Sequence, residues 1–414
     1  MKPLIRSKLR FGISYDLVAI DIPCSSIRSH RPFGRVYIMP IYHILDAGKM
    51  QETNVNKIGR VDPETKHRNK PDRLKYPYTA PATDGSVVEI RPGILWARLP
   101  MPMRLDHINV YLLRDHDGWF LIDTGLHWDE SKRLWGVIVR TQLDGMPIKG
   151  LICTHFHYDH SGLAQWLTKE FSIPLYMTYG EYYTIRTLSG PISDLGQTNI
   201  REFFLSAGLD DETITKIIDK LKTDRFMTSP PASFRRLMDG QILTIGDNDW
   251  RVVVGQGHSP EHACLYCEQE EILISGDQLL PRITPNVLVT NIEPEGNPLQ
   301  LWFDSLDKLD TLAINTLVLP SHQDVFCGLH KRVEELRTHH EKAFNNLRSF
   351  LSKTDAADGV DCMRALYKRE LKGGELMLGL GEALAHLAWL KATGEVTVTK
   401  DATGKNQYCL SSAH

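Results

Sequence analysis

The 414-residue chain reads as a mixed α/β protein in which two sheets are covered by outer helices. Three observations carry that expectation. From Val87 onward short apolar strands alternate with turns, helical patterns fall between and after them, and His or Asp residues stand just beyond the apolar strands, where the loops of a layered fold gather.

The elements follow in order. Strands are predicted at Ile90 to Leu99, Ile108 to Leu113 and Trp119 to Ile122, then a helix around Ser131 to Val139 and a strand at Ile148 to Cys153. Ser161 to Glu170 reads as a helix with Leu163, Ala164, Trp166 and Leu167 turned inward. Residues 180–238 form a mostly helical insertion; Tyr179, Tyr182, Tyr183, Arg186, Phe203, Phe204, Arg235 and Arg236 give it and its edge aromatic and basic character. Those helices either roof a cleft or pack on the body through an amphipathic face. Strands and helices resume at Gln241 and run to a charged helix, Leu329 to Leu351, whose His339 and His340 are read as an exposed pair. Residues 354–414 are expected to form their own unit: helices at Val360 to Leu371 and Leu378 to Lys391, the second capped by Gly394, then a hairpin around Gly404 from Val396 to Thr399 and Gln407 to Leu410. Helix, helix and hairpin make a winged-helix-like arrangement. Its acids and bases nearly balance, which favours packing or dimerisation over DNA binding.

Composition bounds the function. A formal charge of −3 gives no general attraction to nucleic acid or anionic membrane, and no apolar run approaches the length of a membrane span. Seven cysteines without a regular framework suit a reducing compartment, and a cytoplasmic location is expected. Cys264 and Cys267 form a CxxC in a strand-like stretch, where residues three apart face opposite sides, so both read as ordinary strand residues, as does Cys153. Residues 1–50 carry eight Lys or Arg against three Asp or Glu and lack the pattern of a secretory signal. They read as a disordered extension or an over-long start with Met50 as initiator, ahead of an organelle transit segment as the alternative, and a polar linker follows to Gly85. The expected division is thus an extension and linker at 1–85, a main domain at 86–350 and a small domain at 354–414.

The chemistry concentrates in Thr154-His155-Phe156-His157-Tyr158-Asp159-His160, an HxHxDH run straight after an apolar strand. Histidine and aspartate offer the borderline nitrogen and hard oxygen that zinc accepts. In an extended loop His155 and His157 can grip one ion, while Asp159 and His160 face a second. A histidine-rich surface loop is the plainer reading of the run alone. The theme recurs, however: Gly255-Gln256-Gly257-His258, Ile274-Ser275-Gly276-Asp277 and Leu319-Pro320-Ser321-His322 each follow an apolar strand.

With these residues in this order, residues from about Val87 to His340 resemble the metallo-β-lactamase-fold hydrolases, and among them the glyoxalase II-like branch. The resemblance implies an αββα sandwich and a small C-terminal winged-helix-like domain. It implies that His155, His157 and His258 hold one metal, that Asp159, His160 and His322 hold the other, and that Asp277 bridges them. Phe120-Leu121-Ile122-Asp123-Thr124-Gly125 matches the family's first motif, making Asp123 a support of the metal loop. Two zinc ions per chain are expected, with iron as the alternative.

A dinuclear zinc site supplies hydroxide at neutral pH and polarises a carbonyl or phosphoryl oxygen. Asp159 and Asp277 are expected to tune charge and position the nucleophile. The favoured function is hydrolysis of a thioester, ester or lactone, with a small acyl-CoA or glutathione-type thioester first. Ser161-Gly162-Leu163 departs from the glycine pair usual in glyoxalase II proper. Alternatives are an endoribonuclease-like phosphodiesterase, a mononuclear iron persulfide dioxygenase and a non-catalytic metal-containing binding protein. Arg282, just past the aspartate Asp277, is expected to contact an anionic substrate group. A homodimer is a candidate assembly; nucleic acid and membrane are not expected partners.

Overall fold

The computed structural model describes residues 73–223 and 228–411. The expectations for residues 1–50 lie outside the described residues.

The first sheet has seven strands in sequence order: β1 (Val87–Arg91), β2 (Ile94–Pro100), β3 (His107–Asp115), β4 (Gly118–Ile122), β5 (Ile148–Ile152), β6 (Leu175–Thr178) and β7 (Arg235–Leu237). β1 to β4 pair antiparallel and β4 to β7 parallel. The single strand expected at Ile90 to Leu99 is in fact split into β1 and β2. Pro92 has no N–H for a ladder and Gly93 adopts φ +80°, so the chain turns there.

The connections of the parallel part carry helices: α1 (Asp129–Gln142), α2 (Tyr158–Ser161), α3 (Ala164–Glu170), and in the insertion α4 (Tyr179–Leu188), α5 (Asp194–Ser206) and α6 (Asp211–Thr223). The second sheet has the order β13-β12-β11-β10-β9-β8, from β8 (Ile242–Ile245), β9 (Asn248–Gly255), β10 (His262–Cys267), β11 (Ile272–Gly276), β12 (Leu317–Pro320) and β13 (Phe326–Cys327). β11 and β12 are parallel and need a crossover, which α7 (Pro298–Asp310) supplies. α7 starts with Asn297 accepting from Gln300 N and Pro298 in its first turn, and buries Leu299, Trp302, Leu306 and Leu309 on one face.

Three buried clusters define the layers. Trp96, Tyr111, Ile122 and Ile152 meet Trp250, Val252, Leu265 and Ile274 between the sheets. Leu95, Ala97, Leu99 and Leu121 pack outward against Leu134, Trp135, Ile138 and Leu167 of α1 and α3. On the far side Val253, Cys264, Leu273 and Val318 pack against α7 and α8 (Leu329–Leu351). Helix, sheet, sheet and helix are therefore stacked, as the sequence predicts. Cys264 and Cys267 point into different clusters, and the six described cysteines are free. Among the described residues no helix is long and apolar enough to cross a membrane.

The C-terminal elements are α9 (Gly359–Leu366), α10 (Gly374–Ala392) and a hairpin of β14 (Val396–Lys400) and β15 (Asn406–Leu410). α9 stops five residues short of the expected end, and α10 starts early behind Gly373, at φ +54°. Gly394 ends α10 as expected: its N–H donates to Lys391 O and that of Glu395 to Leu390 O, a Schellman closure. Leu380, Leu384, Leu387 and Leu390 join the same buried cluster as α7 and α8. The exposed pair expected at His339 and His340 is half corrected. Along α8 the buried positions Val333, Leu336, His340, Phe344 and Leu347 recur at helical spacing, so His340 lies inside, 3.1 Å from His386, and only His339 is exposed.

Candidate metal centre

The ends of β5, β9, β11 and β12 converge on one edge of the sandwich. β5 runs into the 154–160 loop, β9 into the turn before His258, and β11 and β12 end side by side with Gly276 paired to Pro320, which sets Asp277 beside His322. Two groups of side chains result: His155, His157, His258 and Asp277, and Asp159, His160 and His322, with donor atoms in each within 4.8 Å of one another. All seven residues expected to ligate are brought together. Asp277 lies between the groups, Oδ2 at 3.6 Å from His258 Nε2 and Oδ1 at 3.6 and 3.4 Å from His160 and His322 Nε2. Asp159 Oδ2 stands 3.5 and 3.3 Å from the same two nitrogens. Within the 154–160 loop, Phe156 and His157 are the part-exposed residues.

The imidazoles are oriented by their outer nitrogens. Nδ1 of His160 meets Asp123 Oδ2 at 2.8 Å, that of His258 meets Asn286 O at 2.8 Å, and that of His322 meets His107 O at 3.0 Å. A ring that donates from Nδ1 presents a bare Nε2 inward. Asp123 does more than hold one ring: it also accepts from Thr154 N and Oγ1, at 2.8 and 2.9 Å, at the start of the ligand loop. It does so from a left-handed backbone, φ 62°, which costs a non-glycine residue about 1–3 kcal/mol.

These groups fit a cation. Among the described residues, both Asp277 oxygens and His160 Nε2 are buried without a hydrogen-bond partner. Carboxylates at 0 % exposure are costly unless compensated, and clustered nitrogen and oxygen donors suit a divalent metal such as zinc.

Two further residues shape the centre and were not singled out from the sequence. His262, in β10, accepts Asp277 N at its Nε2, 3.0 Å, and stacks on His155. Gly276, at φ +53°, lets it approach: a Cβ there would sit 2.4 Å from the His262 ring. Asn109 in β3 donates to Pro320 O and Gln323 O and holds the His322 turn from the first sheet. Arg282 lies at the surface, its guanidinium 2.8 Å from Asp324 and over the Tyr76 ring.

Charge is strongly coupled here. Burial depresses His262 to about 3. Burial also opposes charge on His322, but the Asp277 and Asp159 carboxylates outweigh it and push that ring up to about 10. For chelated protein the signs follow. The His322 contribution is complete below pH 6.5 and lost as pH rises through about 10; the neutral His262 contribution is present above 6.5 and lost as pH falls toward 3. The melting temperature of chelated protein is thus expected to peak near neutrality, and a flat profile from pH 4 to 10 would contradict this.

Comparison with known proteins shows the family. The sequence profile of the Metallo-beta-lactamase superfamily matches residues 103–322, and that of the Metallo-beta-lactamase-like, C-terminal domain matches residues 347–411. A Beta-lactamase domain protein from Burkholderia ambifaria is 36% identical with a TM-score of 0.73, covering 82% of this chain and 97% of its own. A metallo-beta-lactamase family protein from Thermus thermophilus is 25% identical with a TM-score of 0.65, over 78% and 100%. The probable metallo-hydrolase YqjP of Bacillus subtilis is 23% identical over 311 residues, 73% of this chain and 94% of that protein.

Proposed function

The chain belongs to the metallo-β-lactamase superfamily, and from that premise we propose that it is a metal-dependent hydrolase of small acyl substrates, holding two zinc ions and acting first on acyl-CoA or glutathione-type thioesters. The observation that carries the reading is Asp277, whose two oxygens face the two groups of ligands. The name of the Bacillus subtilis relative supports hydrolysis. The choice of a thioester rests on the glyoxalase II-like pattern of the motifs.

His155, His157, His258 and Asp277 would hold one ion and Asp159, His160, His322 and Asp277 the other. Zinc held there would lower the pKa of its bound water to about 7 and polarise a carbonyl oxygen. The chain supplies the rest. Asp123, Asn286 O and His107 O fix ring orientation. Asp277, tied to His262 through its backbone N–H, is held between the groups, and Asp159 provides a carboxylate able to accept a hydrogen bond from the attacking water. Part-exposed Phe156 and His157 leave the entry through which an acyl group reaches this edge.

The test is turnover of an acyl-CoA, acyl-glutathione and lactone panel, with RNA and glutathione persulfide as controls. Thiol release that stops on chelation is the expected result; RNA cleavage, or oxygen uptake on the persulfide without hydrolysis, would replace this reading. On the same panel Arg282→Ala is expected to raise KM about 10-fold for the anionic thioesters, about 1.4 kcal/mol, with kcat kept. An unchanged KM would remove Arg282 from substrate binding.

A further inference from the structure

Glu181 is a fully buried carboxylate in the first turn of α4, inside the insertion, and it forms no ion pair with a Lys or Arg among the described residues. Burial of such a group is costly unless donors surround it, and here three do. Its Oε2 accepts from Phe156 N at 2.9 Å, and its Oε1 accepts from Ser259 Oγ and Glu261 N, each at 2.7 Å. Phe156 lies between His155 and His157, and Ser259 follows His258. One carboxylate therefore grips both loops that carry the first group of imidazoles. The grip is returned: Glu261 Oε2 accepts from Gly180 N at 2.8 Å and Glu261 O from Thr178 Oγ1 at 2.7 Å, at the positive end of α4. Contact is close enough that a Cβ on Gly180 would lie 3.1 Å from the Glu261 side chain and 3.2 Å from Pro260. The second group has its own supports, Asp123 on His160 and His107 O on His322, and neither contacts Glu181.

We propose that Glu181 is a positioning residue that sets the spacing of His155, His157 and His258, making the helical insertion a structural part of the first metal site, while the second site, which shares Asp277, is held chiefly by supports of its own. The proposal rests on the reading of the centre as a pair of metal sites. Glu181→Gln keeps the volume of the side chain but turns an acceptor into a donor, so at least one of the three N–H or O–H groups faces another donor. Glu181→Ala removes all three acceptors and leaves those donors buried and unpaired.

Full-length chelated protein, wild type and both variants, would be titrated with cobalt(II) and followed by visible absorption, with the melting temperature of each chelated protein measured alongside. Wild type is expected to take up two equivalents. In Glu181→Gln one equivalent is expected to weaken about 10- to 100-fold with altered bands, the other to change much less, and the chelated melting temperature to fall by no more than the few degrees that one mismatched buried hydrogen bond costs. Glu181→Ala should do the same more strongly; should it fail to fold, the Gln variant decides. Two equivalents bound with wild-type affinity and spectrum in the Gln variant would overturn the proposal. So would equal weakening of both equivalents matched by a fall in chelated stability, which is the signature of a general packing role. A wild type that takes up no cobalt would instead defeat the two-site reading itself.

Discussion

Asp277→Ala is expected to reduce the metal content of the purified protein from two equivalents to one or fewer and to lower hydrolysis at least about 100-fold, or about 2.7 kcal/mol. The side chain faces both sets with its two oxygens, 3.6 Å from His258 on one side and 3.4 and 3.6 Å from His322 and His160 on the other. Removing it takes a negative charge from between the imidazoles of both groups and two prospective cations. The backbone bond to His262 does not depend on the side chain, so the loop itself should persist. Asp277→Asn separates charge from shape: it keeps the volume and one oxygen, and is expected to lose nearly as much. Mass-spectrometric metal analysis with thioester turnover checks both variants. Two metals and near wild-type turnover in Asp277→Asn would mean that the bridging carboxylate is dispensable.

Truncation after residue 353 is expected to yield a chain that does not melt cooperatively. The C-terminal elements are continuous with the core beneath the second sheet. Val360, Met363, Leu380, Leu384, Leu387 and Leu390 lie in the cluster that contains Trp302, Leu306, Leu336 and Phe344. Burial of each large apolar side chain stabilises by about 1.5–3 kcal/mol, against a total stability of about 5–15 kcal/mol for a typical protein. The loss also reaches the centre: Val289 N donates to Gly381 O in α10, and the same 278–289 segment carries Asn286 O, which orients His258. Circular-dichroism melting checks this. A truncated chain with wild-type melting temperature and metal content would make the C-terminal unit an independent appendage.

The seven His and Asp residues of the centre were legible from the resemblance to the metallo-β-lactamase-fold motifs, which has a physical basis: they stand at or just beyond the ends of apolar strands, and strand ends of a layered fold share an edge. Helix α8 was legible to its first and last residue because Gly328 and the periodic Leu, Val and Phe positions mark it locally. What escaped depends on contacts distant in sequence. His262 acts on Asp277 from a neighbouring strand, Asn109 reaches the His322 turn across 211 residues, and Glu181 binds loops 25 and 78 residues away. Nothing local distinguishes such a glutamate from a solvated helical one. His340 is a different case: its spacing with Val333, Leu336 and Phe344 already placed it on the apolar face, and the adjacent His339 masked that signal. The break between β1 and β2 was likewise written in Pro92-Gly93, a turn inside a run whose apolar content suggested continuity. The partner of Arg282 was hidden in the same way, since Asp324 lies 42 residues on.

Whether this edge of the sandwich is a two-metal centre is tested most directly by metal content, measured by mass spectrometry on protein purified without added metal. About two zinc ions per chain is the expected result. A single iron per chain, or no bound metal in protein that is folded and retains activity, would contradict it.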